Sequence, residues 1–173
     1  MANHTEQVVL LDNDGHVIGS TDKATVHTAE TPLHLAFSCH VFNPSGDVLV
    51  TRRALRKATW AGVWTNSFCG HPAPGESSDD AIARRALVEL GITVTDVTLV
   101  LPDFRYRAVD ASGIVENEIC PVYRAVSADA VQANPDEVSE WEWVDPASLT
   151  AAASAAPYAF SPWLVWQLEQ LGS

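Results

Sequence analysis

The stretch from Asn66 to Gly91, NSFCGHPAPGESSDDAIARRALVELG, restricts what this chain can fold into more than any other. Pro74-Gly75 turns the chain, and Ser77-x-x-Asp80 resembles a capping box with Asp in place of the usual Glu or Gln. The spacing predicts a helix from about Asp79 to Leu90, stopped by Gly91 as a C′ residue. Cys69, His71, Arg84, Arg85 and Glu89 therefore fall within one loop–helix unit. That is more chemistry than a connector needs, and the rest of the chain is expected to complete it. Arg85 and Glu89 are four apart and share a helix face. On spacing alone they read equally well as an exposed ion pair, worth about 0.3–0.5 kcal/mol.

Strand patterns surround this unit. Gln7 to Asp12 and His16 to Ser20 flank the turn signal Asn13-Asp14-Gly15, and Asp22 is placed to cap a short helical segment from Lys23 towards His27. Leu33 to Phe42 reads as one strand. Leu33, Leu35, Phe37, Cys39 and Val41 form one face, and His34, Ala36, Ser38, His40 and Phe42 the other. Val48 to Arg53 returns after a turn, and Ile92 to Leu101, Phe104 to Ala108 and Ile114 to Tyr123 are strand-like. Glu140 to Asp145 is a last strand; Pro146 opens a helix through Ala153, and Ser161-Pro162 opens another. Trp163 and Trp166 are expected against the sheet, Cys39 in the core, and His4 and His16 at the surface. Glu116 and Glu118 share a strand face with the apolar Ile114 and Cys120. Two carboxylates in so dry a setting repel unless a cation or a shared proton relieves them, and a metal is the economical answer.

Composition narrows the function. The chain has 173 residues, 47% of them hydrophobic and 18% charged, which suits one domain with a real core. No apolar run approaches the roughly 20 residues that span a bilayer, and the N-terminus lacks the pattern of a signal peptide. Three cysteines at wide spacing make no disulfide framework. A soluble, reduced, cytoplasmic protein is expected. The net charge of −12 argues against nucleic acid as a partner. The few basic residues are clustered, at Arg52-Arg53-Ala54-Leu55-Arg56-Lys57, Arg84-Arg85 and Arg105/Arg107. They read as solvated faces or as a local site for a small, highly charged anion such as a diphosphate.

His27, His34, His71, Glu116 and Glu118 make a candidate metal set. Nothing local forces them together, and their N/O donors suit Mn²⁺ or Zn²⁺, with Mg²⁺ less typical. Gly70-x5-Glu76-x7-Arg84 matches the opening of the Nudix box, and Glu89-x-Gly91-Ile92 its end. Between them the box expects Arg-Glu and Glu-Glu where Arg84-Arg85 and Val88-Glu89 stand, so two carboxylates that gather Mg²⁺ for hydrolysis are missing.

From about His27 to Trp166 the chain resembles the bacterial type I isopentenyl-diphosphate isomerases of the Nudix superfamily. The resemblance rests on His27-x6-His34-Leu-Ala-Phe-Ser, Leu49-Val-Thr-Arg-Arg-Ala-Leu, Trp64-Thr-Asn-Ser-Phe-Cys69-Gly-His71-Pro, Tyr106-Arg107, Gly113-Ile-Val-Glu116-Asn-Glu118 and Phe160-Ser-Pro-Trp163. It implies an α+β, α/β/α sandwich of the Nudix type, with a mixed sheet flanked by helices. An N-terminal metal- and diphosphate-binding meander (1–31) would pack on a catalytic domain (32–166), followed by a tail (167–173), all one structural domain. It further implies a divalent metal (Mn²⁺, Zn²⁺ or Mg²⁺) on the five His/Glu residues, and Cys69 and Glu118 as the acid/base pair. Tyr106 and Trp163 would join the catalytic group, with Trp163 stacked on the reacting carbons. Lys23, Arg53, Lys57 and Arg85 would contact the diphosphate, and Glu89 with the Cys69 backbone carbonyl would hold a Mg²⁺ on it. The expected partner is a small allylic or homoallylic diphosphate, with no nucleic acid and no membrane, and the chain a monomer or weak homodimer. Two other readings stand beside this one: a Nudix hydrolase of nucleoside diphosphate derivatives, and a degenerate Nudix module that only binds.

Overall fold

The structure, a computed structural model, describes residues 6–172, so His4 lies outside the described residues. The hairpin β1 (Gln7–Leu11) and β2 (Val17–Asp22) leads into a single helical turn, α1 (Lys23–Val26). Asp22 occupies the N-cap of α1, but its side chain makes no capping bond. The strand expected from Leu33 to Phe42 is two strands, β3 (His34–Leu35) and β4 (Phe37–Phe42), in different sheets. Ile114 to Tyr123 likewise divides into β10 (Val115–Ile119) and β11 (Val122–Val126). The remaining strands are β5 (Val48–Arg53), β6 (Trp64–Thr65), β7 (Phe68–Gly70), β8 (Thr95–Leu101), β9 (Arg105–Val109) and β12 (Val138–Val144).

Both breaks fall on a parallel seam. β3 pairs parallel with β10, and β4 pairs parallel with β11. Between them Ala36 N donates to Ile119 O and Ser38 N to Pro121 O, so the two chains cross from sheet to sheet together. Pro121 has no N–H to continue the ladder, which fits the change of sheet at that residue. One sheet runs β2-β1-β3-β10-β9 and the other β12-β5-β4-β11-β8, with β6 on β5 and β7 on β4.

α2 (Ser78–Leu90) covers one face of the larger sheet. The Ser77 hydroxyl accepts from Asp80 N, and Gly91, at φ 63°, closes the helix in the left-handed conformation that glycine adopts without cost. Ala81, Ile82, Ala86 and Leu90 bury themselves on Phe37, Cys39, Val41, Leu49 and Phe68. Each fully buried Ile or Leu stabilises by about 1.5–3 kcal/mol. On the opposite face α3 (Pro146–Ala155) and α4 (Pro162–Leu171) place Leu149 and Leu164 against Val48 and Val50. The result is the mixed-sheet α/β/α arrangement expected. α4 extends through Leu171, so residues 167–171 are helix rather than tail, and Gln167 is fully buried. Trp163 packs inside as expected, whereas Trp166 remains partly exposed. Among the described residues no helix is long and apolar enough to cross a membrane.

Candidate metal centre and active-site cavity

Strand register builds the centre. Parallel pairing sets Glu118 of β10 opposite His34 of β3, and antiparallel pairing sets it opposite Tyr106 of β9. Three functional side chains therefore stand side by side across one sheet. His71 follows β7 and reaches in from the loop, with Nε2 3.0 Å from Glu118 Oε1. His27, at the C-cap of α1, completes the group. The ligand atoms of His27, His34, His71 and Glu118 all lie within 4.8 Å of one another. Glu116 adjoins this quartet, its Oε2 2.9 Å from His27 Nε2, while its Oε1 accepts from Thr59 Oγ1.

These residues fit a metal ion on their own chemistry. Among the described residues, the buried His71 Nδ1 has no hydrogen-bond partner, and His27 Nε2 and His34 Nε2 meet the carboxylates of Glu116 and Glu118, at 2.9 and 3.4 Å, without hydrogen-bond geometry. Such orphans cost free energy unless something else meets them. His34 Nδ1 donates to Pro32 O at 2.9 Å, which fixes the ring with Nε2 turned to the cluster, 3.4 Å from Glu118 Oε1. Burial alone would push the Glu118 carboxyl up; the His34 and His71 imidazoles beside it more than reverse that and hold it well below the usual range. Burial keeps His71 below its ordinary value despite Glu118. The centre is thus an anionic carboxylate ringed by imidazoles.

A cavity of about 270 Å³ opens beside it, lined by Cys69, Tyr106 and Trp163, by the cations Lys23, Arg53, Lys57 and Arg85, and by the carboxylates Glu89, Glu116, Glu118 and Glu137. Cys69 is half-buried in β7, opposite Ser38. Burial pushes its thiol up to about 12, against the pull of hydrogen bonds from Ser38 and Asn66, so it carries its proton at neutral pH. Trp163 packs between Trp60 and Tyr106, at centroid distances of 5.3 and 5.7 Å. The Arg53 guanidinium carbon lies 5.3 Å from the Trp163 ring, within cation–π range.

Arg85 and Glu89 form a buried ion pair, not the exposed one that spacing allowed. Gly70 explains the close approach of α2: a Cβ there would lie 2.7 Å from Arg85 Cγ and 2.8 Å from Phe37 Cζ. Arg84 turns elsewhere and bonds Glu76 through both Nε and Nη2 at 2.8 Å, while Glu76 also accepts from Ala73 N. That pair ties the Pro-Gly turn to the helix. Sequence reasoning missed Glu137, which pairs with Lys57 and approaches Arg85 at 3.6 Å. No motif marks it. It missed Asn66 and Ser38 as well, although both stand inside quoted motifs. Asn66 is fully buried, accepts from Trp163 Nε1 at 3.1 Å, and touches Cys69 Sγ.

A mixed-sheet sandwich with a loop–helix unit over a polyanion-sized cavity defines a Nudix-type protein, and the NUDIX domain model matches residues 32–164. An isopentenyl-diphosphate Delta-isomerase from Clavibacter sepedonicus is 64% identical over 171 residues, covering 99% of this chain and 90% of that one. One from Leifsonia xyli subsp. xyli is 63% identical over 168 residues, covering 96% and 91%. The chain belongs to this isomerase family within the Nudix group. A crystal structure of DR0079 from Deinococcus radiodurans, at TM-score 0.74 and 20% identity, covers 97% of this chain and 100% of that one, and shares the fold.

Proposed function

We infer that this chain is an isomerase interconverting isopentenyl and dimethylallyl diphosphate, a reaction that serves isoprenoid biosynthesis. One observation carries the reading: a protonated thiol, Cys69, and an ionised carboxylate, Glu118, line one small cavity together with the Tyr106 and Trp163 rings and the cations of Lys23, Arg53, Lys57 and Arg85.

The chemistry follows from those groups. Moving an isolated C=C bond requires a proton at one carbon and loss of a proton from another. The Cys69 S–H gives its proton to the terminal methylene, leaving a tertiary carbocation, and the Glu118 carboxylate removes a proton from the neighbouring methylene to set the new double bond. The reverse reaction exchanges the two roles. The Trp163 indole face and the Tyr106 ring shield the cation from water and stabilise it by cation–π attraction. Lys23, Arg53, Lys57 and Arg85 bind the diphosphate, and this remote binding holds the small apolar tail against the acid and base.

His27, His34, His71 and Glu118, with Glu116 adjoining, would hold one divalent ion, for which Mn²⁺ or Zn²⁺ suits the donors better than Mg²⁺. Bound there, the ion supplies fixed positive charge that orients Glu118 and tunes its proton affinity. Glu89 and the Cys69 carbonyl oxygen would hold a Mg²⁺ that arrives with the diphosphate. The reading carries with it a monomer or weak homodimer in the cytoplasm, with a meander (1–31) serving the catalytic domain.

The test is incubation with isopentenyl diphosphate in heavy water, followed by NMR. Wild type should give dimethylallyl diphosphate with deuterium incorporated. Cys69→Ala and Glu118→Gln should each lower turnover by at least roughly 10²-fold without loss of fold. Full turnover in either variant would remove that residue's role. Phosphate release without isomerisation would point to hydrolysis instead.

A further inference from the structure

Behind Cys69 lies a buried polar chain that the reaction above does not use. Ser38 and Gln167 are fully buried and His40 nearly so, each surrounded by the sandwich. His40 Nε2 is 2.9 Å from Gln167 Oε1, Gln167 Nε2 donates to Ser38 Oγ at 2.9 Å, and Ser38 Oγ is 3.1 Å from Cys69 Sγ. Cys120 Sγ lies a little further from the same hydroxyl, at 3.4 Å.

Hydrogen-bond accounting gives this chain a direction. Burial pushes His40 down to about 4, so the ring is neutral at pH 7. An amide oxygen can only accept, so the ring proton facing Gln167 Oε1 sits on Nε2. The amide is then fixed with its NH₂ towards Ser38, and the Ser38 oxygen is an acceptor. The Ser38 proton must go to a sulfur, and Cys69 is the nearer. A thiol whose sulfur accepts from Ser38 cannot also direct its own proton there. The acceptor left to it is Asn66 Oδ1, to which the thiol donates at 3.5 Å and which it shares with Trp163 Nε1 at 3.1 Å and Thr65 Oγ1 at 2.9 Å.

We propose that His40–Gln167–Ser38 is a positioning relay: it ends in the Ser38 hydroxyl donating to Cys69 Sγ, and so turns the Cys69 thiol proton away from Ser38, to the side of Asn66 and the cavity that Cys69 lines. The inference rests on Cys69 being the acid of the isomerisation. Ser38 and Gln167 touch no substrate; they select which way the reacting proton points.

The infrared S–H stretching band of Cys69, identified as the band lost in Cys69→Ala, reads the geometry without turnover. In wild type it should be the band of a thiol that does not donate to Ser38. Gln167→Glu keeps the shape but turns the donor facing Ser38 into an acceptor, which reverses the chain. The Cys69 band should then broaden and move to lower frequency, and kcat should fall by about tenfold to a hundredfold with KM within about twofold. Ser38→Ala, which leaves no new charge, should lose kcat similarly, and Ser38→Thr should recover it. A wild-type band that moves to higher frequency in Ser38→Ala, as it would if the thiol donated to Ser38, an unchanged band in Gln167→Glu, or full kcat in folded Ser38→Ala would each overturn the relay. Failure of wild type to incorporate deuterium would instead remove the isomerase reading and leave the infrared result standing.

Discussion

His40 shows how far one buried side chain can tie stability to pH. Its imidazole is neutral in the fold because burial pushes its value down to about 4, against an ordinary 6.5. The unfolded chain therefore binds the extra proton between those values, and stability falls as pH drops through that window. The contribution is intact above about pH 6.5, and about 3 kcal/mol of it is lost by about pH 4. Urea denaturation of wild type and His40→Phe at pH 7 and pH 4.5 checks this, because the variant should lose less stability on acidification. An equal loss in both would show that another group dominates. Cys69 and Glu118 divide roles by the same physics: burial keeps the thiol protonated, while imidazole neighbours keep the carboxylate ionised.

The α2 helix does two things with one buried stripe. Its Ala81, Ile82, Ala86 and Leu90 close the core, and the buried Arg85 and Glu89 line the cavity. Gly70 of β7 sets how near the helix can come. Gly70→Ala would drive a methyl into Arg85 Cγ and Phe37 Cζ, both under 3 Å. Overpacking of this kind costs about 1–3 kcal/mol. The expected result is a lower denaturation midpoint together with a raised KM for the diphosphate, since Arg85 must shift. A lower midpoint with unchanged KM would show that Arg85 does not touch the substrate. The Ser77 cap is separable from this. Ser77→Ala should cost about 1 kcal/mol by the same measurement and leave KM alone.

Across the molecule, the candidate metal cluster gathers side chains from separate parts: the end of α1, the β3/β10 pair and the loop after β7. A ligand that binds only the folded state stabilises it by mass action, about 2.7 kcal/mol at a concentration one hundred times its Kd. Stripping divalent ions with a chelator should lower Tm, and adding Mn²⁺ or Zn²⁺ back should restore it. In His34→Ala the metal-dependent part of the shift should shrink sharply. An identical Tm with and without metal would argue that the cluster holds none. The parallel seam passes from one sheet to the other at the point where Glu118, His34 and Ser38 stand.

Much of this was readable in one dimension. The α2 helix, with its Ser77 cap and Gly91 stop, depends on bonds that span a few residues, and its bounds agree with the sequence to within a residue. Alternation placed Cys39 in the core and set Glu116 and Glu118 on one face for the same local reason. The two changes of sheet at Ala36 and Pro121 were not readable, since alternation continues across both and the partner strand alone distinguishes them. The site divides likewise. Quoted motifs pointed to Cys69, the histidines and the glutamates, but their meeting in one 4.8 Å cluster depends on register. Glu137, His40 and Gln167 carried no signal, for their partners lie 52 to 129 residues away in the chain. Local pattern encodes backbone bonding and the side a residue faces; which distant side chain it meets there is decided by packing.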